Sequence, residues 1–94
     1  MNLKGADILQ VELEVLGRLA TVTARQSGYS LNVEVWWAGH LIEKSSSTEG
    51  DHFWKQFRGL TGAALGQKEK AVAHKLVVAA LEGAAQMVVA ANLP

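Results

Sequence analysis

The sequence predicts an α+β domain, in which a four-stranded antiparallel meander is followed by two helices, the second long and apolar. Two patterns lead to this prediction. Between residues 8 and 45, apolar and polar side chains alternate in four runs separated by short turns, as in hairpin-connected strands. From residue 47 onward, apolar side chains recur at helical spacing, first in a short segment and then in a long one. All 94 residues are expected to form one domain.

Each predicted strand has one apolar face and ends at residues typical of tight turns. The inward side chains are predicted to be Leu9, Val11, Leu13 and Val15, then Ala20, Val22 and Ala24, then Leu31, Val33, Val35 and Trp37. The turns are predicted at Gly17-Arg18, at Gln26-Ser27-Gly28 and at Ala38-Gly39, and the fourth strand covers residues 40–44.

A helical alternative exists for the beginning of the chain. Leu9, Leu13, Leu16 and Ala20 also fall at helical spacing, so residues 6–24 could form one amphipathic helix. The density of β-branched residues and the glycine in the middle of the segment favour the hairpin.

Two helices are predicted in the second half of the chain. Residues 45–48 are expected to be a loop in which a hydroxyl group of Ser47 or Thr48 caps the first helix. Aromatic side chains form a stripe along one side of this helix and are predicted to be buried in the core. They are Phe53, Trp54 and Phe57. Gly59 ends the helix, and residues 59–66 form a linker to a second helix over residues 67–92.

The second helix suggests a homodimer. From residue 76 onward its sequence is apolar on nearly every side, and one small sheet cannot cover such a helix completely. We therefore expect two copies to associate through residues 67–92. Glutamate at Val77 or Val88 is expected to prevent this association.

Composition and charge narrow the class of protein. Apolar residues make up 49% of the chain and charged residues 19%, as in folded globular domains. There is no cysteine, no apolar signal region at the start and no uninterrupted apolar stretch long enough for a membrane span, so a cytoplasmic location is expected. Residues 1–51 hold four basic and seven acidic side chains, whereas residues 52–75 hold five basic and one acidic. The charge is therefore asymmetric although the net charge is zero.

Motifs for catalysis or cofactor binding are not found. The glycine-rich segment ends in Gly66-Gln67-Lys68, which lacks the Gly-Lys-Ser/Thr of a phosphate-binding loop. The chain has three histidines, which are His40, His52 and His74. None of them has a second ligand residue at the spacing typical of metal sites. We therefore expect no enzyme activity, no cofactor and no metal.

The candidate partner-binding site lies on the predicted sheet. Because adjacent strand residues point to opposite faces, Trp37 is expected to be buried and Trp36 to lie on the other, acidic face. Trp36 would then be either a rim residue that shields a sheet edge or a binding anchor, since tryptophan is enriched at interface hot spots. The candidate binding residues are Glu12, Glu14, Glu34 and Trp36.

The second half of the chain carries a resemblance to a known family. The residues that carry the resemblance are Ser47, Thr48, Glu49 and Trp54, followed by Phe57, Gly59, Leu60, Gly62, Leu65, Gly66, Glu69 and Ala71 in one ungapped run. In these positions the sequence resembles small phage anti-CRISPR proteins that inhibit the type I-F RNA-guided surveillance complex. The resemblance implies four antiparallel strands, two helices, no catalytic activity, and binding to the repeated backbone subunit of the complex, which stops guide RNA from pairing with target DNA. It carries over no binding residue.

Three functional hypotheses follow. The first is a protein-binding inhibitor that presents the acidic sheet face to a basic, nucleic-acid-binding complex in the cytoplasm of a bacterial host. The second is a small nucleic-acid-binding module that uses the basic region 55–75, with Lys55, Arg58, Lys68, Lys70 and Lys75. The third is a structural homo-oligomer assembled through the second helix.

Overall fold

Four strands and two helices make up the described part of the chain. The computed structural model describes the backbone of residues 8–92 and the side chains of residues 8–85. In chain order the elements are β1 (Ile8–Val15), β2 (Arg18–Ser27), β3 (Ser30–Trp37), β4 (His40–Ser47), α1 (Gly50–Lys55) and α2 (Gly62–Asn92). The strands form one antiparallel sheet in the order β1-β2-β3-β4, which confirms the predicted α+β class and the meander.

Two-residue turns connect consecutive strands. They consist of Leu16-Gly17, Gly28-Tyr29 and Ala38-Gly39, and the strand residues that flank each turn pair with each other. In the first and third turns both residues have positive φ, between 51° and 83°. Two consecutive residues of positive φ are the signature of a type I′ turn, whose twist matches that of the flanking strands.

The segment for which the sequence allowed a helix forms a hairpin. Over residues 8–24, β1 pairs with β2 in a regular antiparallel register that places Val11 opposite Val22. The β-branched side chains of this segment pack well on a pleated surface. Gly17 has a φ of +75°, which is the turn conformation that glycine adopts at little cost.

The core lies between one face of the sheet and α2. Helix α2 contacts all four strands. Its contribution to the core consists of Ala73, Val77 and Ala80. The strands contribute Leu9, Val11, Val15, Ala20, Val22, Ala24, Leu31, Val33 and Val35. Each buried leucine or valine stabilises the fold by about 1.5–3 kcal/mol relative to exposure, so this layer is the main source of stability.

Trp37 links the end of β3 to the end of β1 through a hydrogen bond. Its indole Nε1 donates a hydrogen bond to the carbonyl oxygen of Val15 over 2.9 Å. Ala20 is the residue of β2 that pairs with Trp37, so the small alanine lies between the two strands that the ring connects. The predicted inward orientation of Trp37 is confirmed, because the side chain packs against the core cluster.

Helix α1 is held against the end of β2. Trp54 Nε1 donates a hydrogen bond to Gln26 Oε1 over 2.9 Å, and Gln26 Nε2 donates to the carbonyl oxygen of Gly28 over 2.8 Å. Gly50 lies directly against the Gln26 side chain, where a β-carbon would overlap it. The rings of Phe53, Trp54 and Phe57 contact one another and pack on the core, as the sequence predicted.

Several predicted boundaries and the predicted helix cap were wrong. Helix α1 ends at Lys55 rather than at Gly59, and its N-cap residue is Glu49, with no side-chain cap hydrogen bond from Ser47 or Thr48. Three residues that were predicted in turns belong to β2, namely Arg18, Gln26 and Ser27.

The serines expected in a loop are Ser45, Ser46 and Ser47, and they belong to β4. They pair with the first half of β3, where Ser47 lies opposite Leu31. The second helix begins at Gly62 rather than at residue 67, so the linker is much shorter than expected. Leu65 N donates to the carbonyl oxygen of Thr61 over 3.3 Å, and alanines favour the helix between them.

Helix α2 is longer than the sheet that it covers. It has 31 residues, which corresponds to about 46 Å, whereas strands of this sheet span about 26–33 Å. The molecule accordingly extends 55 Å along its longest axis. Within residues 8–92, no helix combines the length and the hydropathy that crossing a membrane requires.

Val77 lies inside the core of the single chain. Its exposed fraction is 0%, and it packs between α2 and the sheet. The expectation that a charge at Val77 would act on a dimer interface is therefore wrong, because the side chain is already covered by its own sheet. Val88 lies outside the part of the chain whose side chains are described.

Candidate functional site

The sheet has a second face, opposite the helices, which we call the outer face. It carries the side chains that alternate with the core residues. They include Gln10, Glu12, Glu14, Leu19, Thr21, Thr23, Arg25, Asn32, Glu34, Trp36, Leu41 and Lys44. Both helices pack on the other side, so these residues are exposed or half-buried. The four candidate binding residues predicted from the sequence all lie on this face.

One row of the outer face crosses all four strands at Trp36. In the strand register, Glu12 lies opposite Thr21, Thr21 opposite Trp36, and Trp36 opposite Leu41. Neighbouring strands are about 4.8 Å apart, so Glu12 and Trp36 are separated by about 10 Å. Trp36 has an exposed fraction of 39%. The ring is therefore available to a partner while its neighbours restrict its position.

Glu34 holds the indole of Trp36 from the same strand. The Trp36 Nε1 group donates a hydrogen bond to Glu34 Oε1 over 3.3 Å. Glu34 also lies directly opposite Lys44 on β4. Opposite charges at such cross-strand positions attract each other, so Lys44 partly offsets the charge of Glu34.

The unbalanced acidic charge of the outer face lies on β1. Glu12 and Glu14 are exposed, and their cross-strand neighbours are Thr21 and Leu19, neither of which is basic. The outer face is therefore less uniformly acidic than the sequence predicted, since Arg25 and Lys44 also lie on it. The negative charge is concentrated along the β1 edge.

Sequence reasoning missed three exposed leucines near Trp36. Leu19 and Leu41 lie on the outer face with exposed fractions of 61% and 43%, and Leu16 in the first turn is 80% exposed. The alternation of β2 already placed Leu19 on this face. Leu41 could not be assigned, because the register of β3 and β4 shifts next to Trp36 and leaves Ile42 without a partner.

The basic residues of the alternative nucleic-acid site do not form one surface. Lys55 is the last residue of α1, Arg58 lies in the turn that follows it, and the other three lie on α2. Lys68 and Lys70 are roughly 200° apart around the helix axis. Lys68 is half-buried, whereas Lys70 and Lys75 are exposed. Lys75 lies two turns after Lys68 on the same side of α2, so Lys70 is the residue of the three that faces another direction.

The histidines lie on three different elements. His40 begins β4, His52 is in α1, and His74 is on α2. Among the residues that the structure describes, no group of three histidine, aspartate or glutamate side chains is placed to hold a metal ion.

Comparison of the chain with protein-family models, with curated proteins and with solved structures returned no match.

Proposed function

We propose that this protein is a non-catalytic inhibitor that binds another protein through the outer face of its sheet. The observation that carries the proposal is the grouping of Trp36, Glu12, Glu14 and Glu34 on a face that neither of the two described helices covers. An exposed tryptophan held in place by a hydrogen bond loses little freedom on binding and offers a large contact area. Acidic groups beside it attract a basic partner.

The proposed partner is a protein complex with a basic, nucleic-acid-binding groove. Carboxylates placed in such a groove compete with the phosphates that normally occupy it. The resemblance of the second half to type I-F anti-CRISPR proteins names a specific complex of this kind, in the cytoplasm of a bacterial host. Direct nucleic-acid binding is less well supported, because Lys68 and Lys70 lie on opposite sides of α2 and the aromatic face carries carboxylates.

A competition assay tests this proposal. Purified type I-F surveillance complex with its guide RNA is incubated with the protein, and labelled target DNA is then added. We expect the protein to co-elute with the complex and to abolish DNA binding at close to stoichiometric amounts. The proposal is contradicted if the complex does not retain the protein. It is equally contradicted if the protein itself retains the DNA and loses it in the Lys68→Ala/Lys70→Ala double variant.

Reversing the charge of Glu12 is expected to slow association. Glu12→Lys removes part of the negative potential that steers the proteins together, so the association rate should fall about threefold or more at low salt. The difference should largely disappear at roughly 0.5 M salt, because screening shortens the range of the attraction. Stopped-flow or surface-plasmon measurements at several salt concentrations provide the rates.

Glu82→Lys is the matched control for this experiment. Glu82 is exposed on α2, on the opposite side of the sheet, and the substitution changes the net charge equally. An equal slowing by both variants would show that total charge matters rather than the outer face. Glu34 is a poorer position for the reversal, because it also accepts the hydrogen bond of Trp36.

We also propose that the protein forms a homodimer through α2. Support comes from the sequence of residues 76–91, where Glu82 is the only charged residue, and from the extension of the helix beyond the sheet. Light scattering after size exclusion should give twice the chain mass, and Val88→Glu should halve it. Ala63→Glu, in the first turn of the same helix, should leave the mass unchanged. A stable monomer of the unmodified protein would contradict the dimer.

A further inference from the structure

The first turn holds an exposed leucine in a conformation that leucine disfavours. Leu16 has a φ of +53°, in the left-handed region where a β-carbon crowds the following carbonyl group. Asparagine, aspartate or glycine is the usual residue at this position of a type I′ turn. Leu16 is 80% exposed and does not belong to the core cluster, so the described structure provides no packing that offsets the strain. A strained, solvent-exposed apolar residue indicates a role outside folding.

Leu16 lies at the same end of the sheet as three other exposed apolar side chains, whereas Ile8 and Tyr29 are exposed at the opposite end. In a meander the first and third turns lie together at one end. Ala38 N, in the third turn, donates a hydrogen bond to the carbonyl oxygen of Leu19 over 2.9 Å. We call the resulting surface the apolar end. Its residues are Leu16, Leu19, Trp36 and Leu41.

Negative charge borders the apolar end along β1. Glu14 pairs with Leu19 and Glu12 lies in the row of Trp36. The combination of an apolar centre and an acidic border complements a protein surface with the opposite arrangement, which is an apolar pocket bordered by lysine or arginine.

We infer that Leu16 is an anchor that inserts into an apolar pocket of the protein partner, whose rim is basic. The inference rests on the proposed function and adds the contact residue and the chemistry of the partner surface. A residue at the tip of a two-residue turn projects beyond the strands, so it enters a pocket while Trp36 lies across the adjoining surface. Glu12 and Glu14 then meet the basic rim.

Other occupants fit this surface less well. In a second copy bound at the same surface, the acidic borders of the two chains would approach each other and repel. Nucleic acid and anionic lipid headgroups carry negative charge, which Glu12 and Glu14 also repel. A basic protein surface matches both the leucine and the carboxylates.

The variant Leu16→Asn separates folding from binding. Asparagine tolerates positive φ, so the melting temperature should rise by about 3 °C or more. The affinity for purified type I-F surveillance complex should fall at least about tenfold, because the anchor is lost. Circular dichroism and isothermal titration calorimetry provide the two quantities.

Ala38→Asn is the matched control. Ala38 has a φ of +51° and is followed by Gly39 in the equivalent turn at the same end of the sheet. Its replacement should relieve strain in the same way and leave the affinity unchanged, since no large apolar group is removed.

Each contrary result has a separate meaning. If Leu16→Asn binds with wild-type affinity while Trp36→Ala loses affinity, Leu16 is not an anchor, and the proposed function stands. A lowered melting temperature in Leu16→Asn shows that the leucine supports the fold and overturns the inference. Equal loss of affinity in Ala38→Asn assigns the effect to the turns rather than to the leucine and also overturns it. Failure of the unmodified protein to bind the complex overturns both proposals.

Discussion

Replacing Trp36 with alanine is expected to weaken binding to the surveillance complex by about 2 kcal/mol or more, which is roughly a 30-fold loss of affinity. The indole is the largest side chain on the outer face, and its position is already restricted by Glu34 and by its cross-strand neighbours. The ring is 39% exposed, so its loss removes little core packing. The folded fraction at room temperature should therefore stay unchanged, which circular dichroism can verify before affinities are measured.

Tyr29 provides the control for the loss of an aromatic ring. It is 92% exposed in the second turn, at the opposite end of the sheet. Tyr29→Ala should bind with wild-type affinity. Unfolding of Trp36→Ala would show that the ring stabilises the sheet rather than the complex. Equal affinities for wild type and Trp36→Ala would remove Trp36 from the binding surface.

Glutamate at Val77 is expected to unfold the protein. The side chain is 0% exposed between α2 and the sheet, so a carboxylate there would lose its water without gaining a partner. The cost should exceed about 3 kcal/mol, which is a large part of the stability of a domain of this size. Urea denaturation followed by far-ultraviolet circular dichroism measures the loss.

Ala63→Glu places the same charge at an exposed position of the same helix. It lies in the first turn, away from the core and from residues 76–91, and its cost should stay within about 0.5 kcal/mol. A Val77→Glu variant that remains folded would contradict the position of α2 on the sheet. The pair thus tests the core directly, independently of whether the protein forms dimers.

The alternation of apolar and polar residues predicted the sheet and the sides of its strands. It placed Trp37 inward and Trp36 outward together with Glu12, Glu14 and Glu34, and the register agrees. Such predictions succeed because the side-chain direction in a strand depends only on local geometry, with a period of two residues. Choosing between hairpin and helix for residues 6–24 required a weighing of propensities, and the structure describes a hairpin from residue 8 onward.

Other features depend on residues distant in the chain, and only the tertiary structure decided them. Strand β4 reaches Ser47 because β3 offers backbone partners there, although a run of serines has little tendency to form a strand. The unpaired Ile42 brings Leu41 beside Trp36, and Val77 is covered because α2 lies across the sheet. The strained position of Leu16 follows from the register that pairs Val15 with Arg18. The alternation of apolar and polar residues in the sequence determined the two faces of the sheet. The tertiary structure decided which exposed residues lie next to one another on the outer face, because strand register and helix packing depend on residues far apart in the chain.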